Sequence, residues 1–160
     1  MVIRVSMNRA SLEGAAQQLE TIAAELHQKE QQICERLATI GAIRATMDYA
    51  SVPLDGLPKD VTVTVEPSGD GYKVIAAGSM VLFLEFGAGA KYGYGHPDPR
   101  GYGPGTYPGK GHWDDPKGWW IPKEHGGGHT YGNPPAMGMY NASRDIRESI
   151  RQVVEEVLRS

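Results

Sequence analysis

The strictest alternation in the chain is Val61-Thr62-Val63-Thr64-Val65-Glu66, with three valines on one side and polar residues on the other, and it predicts a half-buried strand. Pro67-Ser68-Gly69-Asp70-Gly71 supplies turn residues and Tyr72-Lys73-Val74-Ile75-Ala76-Ala77 returns, so the two runs predict an antiparallel hairpin. Val2, Ile3 and Val5 alternate with Arg4 and Ser6, predicting a further short strand over Met1 to Met7. Between these strands the period is helical. Leu12, Ala15, Leu19, Ile22, Leu26, Ile33, Leu37 and Ile40 fall on one stripe, with Gln17, Gln18, Glu20, Glu25, Gln28 and Gln32 off it. Ser11 is the expected N-cap, and Glu13 places a carboxylate at the positive end of the helix dipole. The stripe weakens at Lys29 and Glu30, which leaves one long helix or two in tandem. Gly41 is not expected to end it, because helix formers continue through Met47. The stripe is expected to face the core, the alternative being that part of it faces a neighbouring subunit.

Pro53, Gly56 and Pro58 mark Ser51 to Lys59 as a loop. Val81 to Gly89 is the most apolar stretch, too short for periodicity to separate a buried strand from two turns of helix. Glu85 lies inside it and must find a partner or stay at an edge. Gly118-Trp119-Trp120-Ile121-Pro122 predicts a short strand rejoining the sheet, one tryptophan inward and one outward. Asn133-Pro134-Pro135 predicts the start of a last helix with proline in its first turn. Met137, Tyr140, Ile146, Ile150, Val153, Val154, Val157 and Leu158 give that helix its apolar side, and Arg151–Glu155 and Glu155–Arg159 are i,i+4 pairs. These elements predict an α+β fold: an antiparallel sheet packed against a long N-terminal helix and a C-terminal helix. Residues 1–160 are expected to form a single domain, with 88–118 a long Gly/Tyr/His-rich loop inserted within it.

Composition sharpens the picture at that loop. Between Gly87 and Gly132 lie 14 of the 21 glycines, 5 of the 8 tyrosines and 4 of the 5 histidines, so the segment has little aliphatic surface to bury. A loop this long in a compact domain usually has a function. Elsewhere composition mainly excludes. A net charge of -3 without a clustered basic face argues against nucleic-acid readout and a polybasic membrane patch. No apolar run approaches the ~20 residues of a spanning helix, and the start lacks a signal-peptide pattern, so a soluble protein made in a cytoplasm is expected. The single cysteine, Cys34, sits at a helical apolar position beside Ile33 and Leu37, as a core thiol would.

The histidines lack the spacing of metal ligands. His125 and His129 are four apart, but Gly126-Gly127-Gly128 between them denies the helix that would put both on one face. His96 with Asp98, and His112 with Asp114 and Asp115, match no ligand motif, so no metal and no cofactor is expected. No Gly-x-Ser-x-Gly elbow and no phosphate loop is present, and no catalytic residue is assigned. The alternative from another class is a small metal-dependent hydrolase using His96, His112, His125 and His129. Tyr92, Tyr94, Tyr102, Tyr107 and Trp113, interleaved with glycine, read better as adaptable protein contact surface than as a base-stacking platform, because basic residues are few there. With Glu85, Phe86, Trp119 and Trp120 they form the candidate subunit or partner interface, exposed tryptophan being a frequent binding anchor.

Leu84-Glu85-Phe86-Gly87-Ala88-Gly89 resembles the Val/Leu-Glu-Phe-Gly-Thr-Gly signature of the tail-completion and head-tail joining proteins of long-tailed phages and prophages. In that family a variable Gly/Pro/His-rich stretch follows, then a Gly-Trp-x-x-Pro strand, a Thr-x-Gly-x-Pro-Ala turn and a helix with Met-Tyr-x-Ala near its start. Here the matching tracts are Gly118-Trp119-Trp120-Ile121-Pro122, Thr130-Tyr131-Gly132-Asn133-Pro134-Pro135-Ala136 and Met139-Tyr140-Asn141-Ala142. The chain departs from the pattern in three places. Asp48 to Leu57 lacks the family's Val-Asp-Thr-Gly-x-Leu tract, the turn carries an extra proline, and the arm Ala90 to Lys117 is long. The resemblance implies a non-enzymatic virion protein of the neck or tail top. Such a subunit assembles with itself as a ring, commonly a hexamer, contacts neck, connector and tail-tube proteins, and passes through the host cytoplasm during assembly. A tail-tube terminator or another minor tail or capsid protein is the neighbouring alternative.

Overall fold

The computed structural model describes residues 8–54, 59–89, 92, 96–97 and 115–160. The expected strand at Met1 to Met7 and most of the inserted loop lie outside them. The fold is α+β. Helix α1 (Arg9–Ser51) is one continuous element of 43 residues, about 65 Å long at 1.5 Å per residue. It runs through Gly41 as expected, but its N-cap is Asn8, not Ser11: Asn8 Oδ1 accepts from the Ser11 backbone N–H at 2.9 Å. Ser11 is thus the third residue of the first turn, the donor rather than the cap.

Strands β1 (Thr62–Ser68) and β2 (Gly71–Ala77) pair antiparallel, with Ser68 opposite Gly71. The turn is shorter than the turn residues indicated, by two residues on the β1 side and one on the β2 side, because Pro67 sits on an open edge of a two-stranded sheet, where its missing N–H costs little. Val61, Val63 and Val65 are half-buried while Thr62, Thr64 and Glu66 are exposed, as the alternation required. Helix α2 (Val81–Phe86) settles the apolar stretch as helix.

Strands β3 (Trp119–Ile121) and β4 (Gly128–Thr130) form a second antiparallel pair joined through a 3-10 turn at Lys123–His125. The expectation that the Trp119-Trp120 strand rejoins the first sheet is therefore corrected. These residues pair instead with the segment that follows a six-residue connection, Trp119 opposite Thr130 and Ile121 opposite Gly128, where loop closure costs little entropy.

Helix α3 (Gly138–Arg159) begins three residues beyond Pro135, so the two prolines form an extended approach rather than a first turn. It runs antiparallel along α1. Asp48 accepts from Asn141, Arg44 pairs with Asp145, Arg36 with Glu156, and Lys29 reaches the Leu158 carbonyl at 3.5 Å. Gln31 donates to the carbonyl of Asp70 at the tip of the first hairpin. Both elements that cover α1 therefore end near Lys29.

The core gathers Ala45, Tyr49, Val52, Leu54, Leu84, Ala136 and Ala142, with Val61, Val63, Ala76, Met80 and Met139 against it. On α1 the buried positions are Ala38, Gly41, Ala45 and Tyr49 only. Toward the N-terminus the expected core stripe is not covered, and Leu12, Leu19 and Leu26 are 49%, 57% and 57% exposed. Cys34 is half-buried. Among the described residues no helix is long and apolar enough to cross a membrane.

Candidate functional site

A buried carboxylate joins the three helices. Glu85 is 6% exposed near the C-terminus of α2. Its Oε2 accepts from the Tyr49 hydroxyl at 2.8 Å and from the Met139 backbone N–H at 2.9 Å, and its Oε1 accepts from the Tyr140 N–H at 3.0 Å. His96 Nε2 lies 3.2 Å from Oε1, and its ring meets Phe86 at a tilt of 59° and 4.6 Å, and Tyr140 edge-on at 5.6 Å. The arrangement solves a local problem. The residue before α3, Met137, is in the left-handed region (φ 56°) and makes no side-chain cap, so the first N–H groups of α3 have no partner from their own chain segment. Glu85 supplies the cap from another helix and sets its negative charge at the positive end of the α3 dipole. Burial, then the adjoining Glu85 charge, pushes the Tyr49 hydroxyl well above the ordinary tyrosine range, which keeps it a donor.

The approach to α3 is tied to the same helix end. Ala88 and Asn133 exchange backbone hydrogen bonds at 2.9 and 3.0 Å, and Asn133 Nδ2 donates to the Phe83 carbonyl at 2.9 Å. Ala136 N–H donates to the Leu84 carbonyl at 2.6 Å and Met137 N–H to that of Glu85 at 3.3 Å. The backbones pass so closely that a Cβ on Gly89 would sit 2.1 Å from the Tyr131 carbonyl oxygen, and one on Gly132 1.9 Å from that of Ala88. Both glycines also have positive φ, 90° and 94°, so only glycine fits either position without strain. The tracts around Leu84-Glu85-Phe86-Gly87, Gly132-Asn133-Pro134-Pro135-Ala136 and Met139-Tyr140 are thus three sides of one knot.

The β3–β4 hairpin presents a different surface. Trp119 and Ile121 turn inward and Trp120 outward, as the period of two predicts, and Trp120 is 75% exposed. Its ring meets His129 edge-on at 5.2 Å, and His129 meets Tyr131 edge-on at 5.0 Å, giving an exposed aromatic row.

The candidate interface residues thus divide. Glu85 is inside the fold, Phe86 and Tyr92 are half-buried near it in the chain, and Trp119 is half-buried while Trp120 is exposed. Tyr94, Tyr102, Tyr107 and Trp113 lie outside the described residues. The partners Tyr49 and Asn133 carried no sequence signal beyond being polar groups beside apolar runs. Of the four histidines weighed as ligands, His96 touches Glu85 and His129 touches Trp120; His112 and the side chain of His125 are outside the described set. Among the described residues no three His, Cys, Asp or Glu side chains converge as a metal site would require.

A groove of about 200 Å³ opens between α1 and the first hairpin, lined by Thr46, Tyr49, Ala50, Lys59, Val61, Val63 and Leu84. That is below the ~300 Å³ at which small-molecule sites begin, and its lining offers few convergent polar groups. The geometry therefore builds one structural polar centre and one exposed aromatic row, and comparison of the chain with family models, curated proteins and solved structures finds no match in any of the three.

Proposed function

We propose that this chain is a structural subunit of the neck or tail top of a long-tailed phage or prophage, completing the tail and joining it to the head as a homo-oligomeric, hexameric ring. The observation that carries this reading is the convergence of three of the four signature-like tracts, the Gly118–Pro122 strand standing apart. Residues noticed separately for their order along the chain interlock around Glu85, so they act as one folding unit rather than as scattered matches. The outward features favour assembly over chemistry: an aromatic row headed by Trp120 and a helix that outruns its subunit. In this reading its neighbours are further copies of itself and the connector and tail-tube proteins, and the assembled location is the virion.

The test is negative-stain imaging of lysates from a phage in which this gene is disrupted. Filled heads accumulating apart from finished tails are expected. Overlong or irregular tails would move the protein to the tube end. Ordinary infectious particles would overturn the assignment.

A further inference from the structure

We propose that the projecting part of α1, Arg9 to Glu30, pairs antiparallel with the same segment of a second copy of this chain. The segment projects because α3 and the first hairpin both end at its base, where Lys29 meets Leu158 and Gln31 meets Asp70. About 20 residues, or roughly 30 Å of helix, continue beyond them. Leu12, Leu19 and Leu26 stand on this part 49%, 57% and 57% exposed.

Their spacing is that of a helix-pairing seam. Leu12, Ala15, Leu19, Ile22, Leu26, Lys29 and Ile33 alternate steps of three and four, the a and d positions of a heptad. The seam is also continuous with an existing interface. Ile33, Leu37 and Ile40 of the same stripe are half-buried where α3 runs antiparallel along α1. A second copy running antiparallel extends that cover in the same direction past the end of α3.

Charge and size select the antiparallel arrangement. A parallel pair in register sets Glu25 of one helix against Glu30 of the other and stacks Ala15 on Ala15. An antiparallel pair centred between residues 20 and 21 sets Leu19 against Ile22, Ala15 against Leu26, and Arg9 against Glu30 at both ends. Within one copy, among the described residues, Arg9 pairs only with Glu13, on an open face. A pair of this kind is closed by its own two-fold axis, so it is distinct from the head-to-tail contact that a hexameric ring needs. It goes beyond the neck assignment and holds for a chain with no part in a phage.

Sedimentation velocity on the full chain, from low micromolar to a few hundred micromolar, is compared with the double variant Leu19→Asp, Leu26→Asp. Both positions lie outside the folded body, so thermal unfolding of the body should be unchanged and serves as the folding control. Self-association of the natural chain and at least a tenfold weakening in the variant are expected. A nitroxide on Cys34, the single cysteine, then reads direction. The antiparallel pair places the two labels 27 residues apart along the axis, about 40 Å, and a parallel pair under about 20 Å. A natural chain that stays monomeric, a variant that associates as strongly as the natural chain, or the short distance would each overturn the proposal.

Discussion

Replacing Glu85 by glutamine changes one oxygen into an NH2 group and nothing in shape, yet the knot around it tolerates no such exchange. Both carboxylate oxygens face backbone donors, Met139 N–H at Oε2 and Tyr140 N–H at Oε1. Tyr49 can turn its hydroxyl to accept, and His96 can present a lone pair, but a backbone N–H cannot. Whichever way the amide is turned, its NH2 therefore confronts one backbone N–H and leaves it without an acceptor. Such a loss costs about 1–3 kcal/mol in a buried setting. The remaining bonds fall from charge-assisted to neutral strength, and the α3 dipole loses a counter-charge worth about 0.3–1 kcal/mol. Relief of carboxylate desolvation works the other way, since a neutral amide is easier to bury. We expect a net destabilisation of about 2–3 kcal/mol, a large part of the ~5–15 kcal/mol that holds a domain together. Urea denaturation reads this as a midpoint lowered by ~1–2 M. Amide exchange adds a local readout, because protection at Met139 and Tyr140 should fall before that of Val153 and Val157. A Glu85→Gln chain within ~0.5 kcal/mol of the natural one, the range of ordinary surface changes, would refute the reasoning.

The raised Tyr49 hydroxyl makes a signed prediction. Its folded value lies above the unfolded value of about 10, so its contribution is complete below about pH 10 and is lost as pH rises beyond it, by up to about 1.4 kcal/mol per pH unit. The stability difference between the natural chain and Tyr49→Phe, measured by urea midpoints from pH 8 to 11, should be constant to pH 10 and shrink above it. A difference unchanged at pH 11 counts against the Tyr49–Glu85 account. Gly138→Ala should destabilise by about 1–3 kcal/mol, because the added methyl would lie 2.7 Å from the Tyr49 ring, which its bond to Glu85 holds in place; a thermal melt equal to that of the natural chain would show the ring to be mobile. Trp120→Ala should leave the melting temperature unchanged, since the ring is 75% exposed, and should lower incorporation into assembled particles if the aromatic row is a contact; a changed melt with normal incorporation would make it a packing residue.

Where one side of an element is buried against one other element, the sequence was readable. The valines of β1 and the inward and outward tryptophans of β3 follow their period because each strand has a single covered face. The i,i+4 pairs of α3 form as written, Arg151 at 2.9 Å and Arg159 at 3.5 Å from Glu155, because they need only the helix itself. Reading failed where the decision was tertiary. Six residues at Val81–Phe86 cannot announce helix or strand, and their state depends on Asn133 and Ala136, some 50 residues away, binding the carbonyls of Phe83 and Leu84. The start of α3 was misplaced for the same reason, since its cap comes from Glu85 and not from the prolines preceding it. The stripe on α1 predicted a covered face along its whole length, but hydrophobic spacing says that a face will be covered and not by which chain.

The knot bears on what the signature-like tracts mean. An acidic residue inside an apolar run invites a functional reading, as a site or a contact for another subunit. Here three donors from two other elements converge on Glu85, and the backbones on either side touch too closely for any side chain at Gly89 or Gly132. The core offers Leu84 as its only large, fully buried side chain among the described residues, so apolar burial alone holds these helices weakly. A saturated polar centre compensates by specifying how α1, α2 and α3 meet, which a small and smooth core cannot do. The tracts then fix the frame, and the aromatic row and the projecting helix, which take no part in it, remain available to choose partners. Substitutions should divide accordingly: changes in the knot lower stability before they touch assembly, and changes at Leu19 or Trp120 do the reverse.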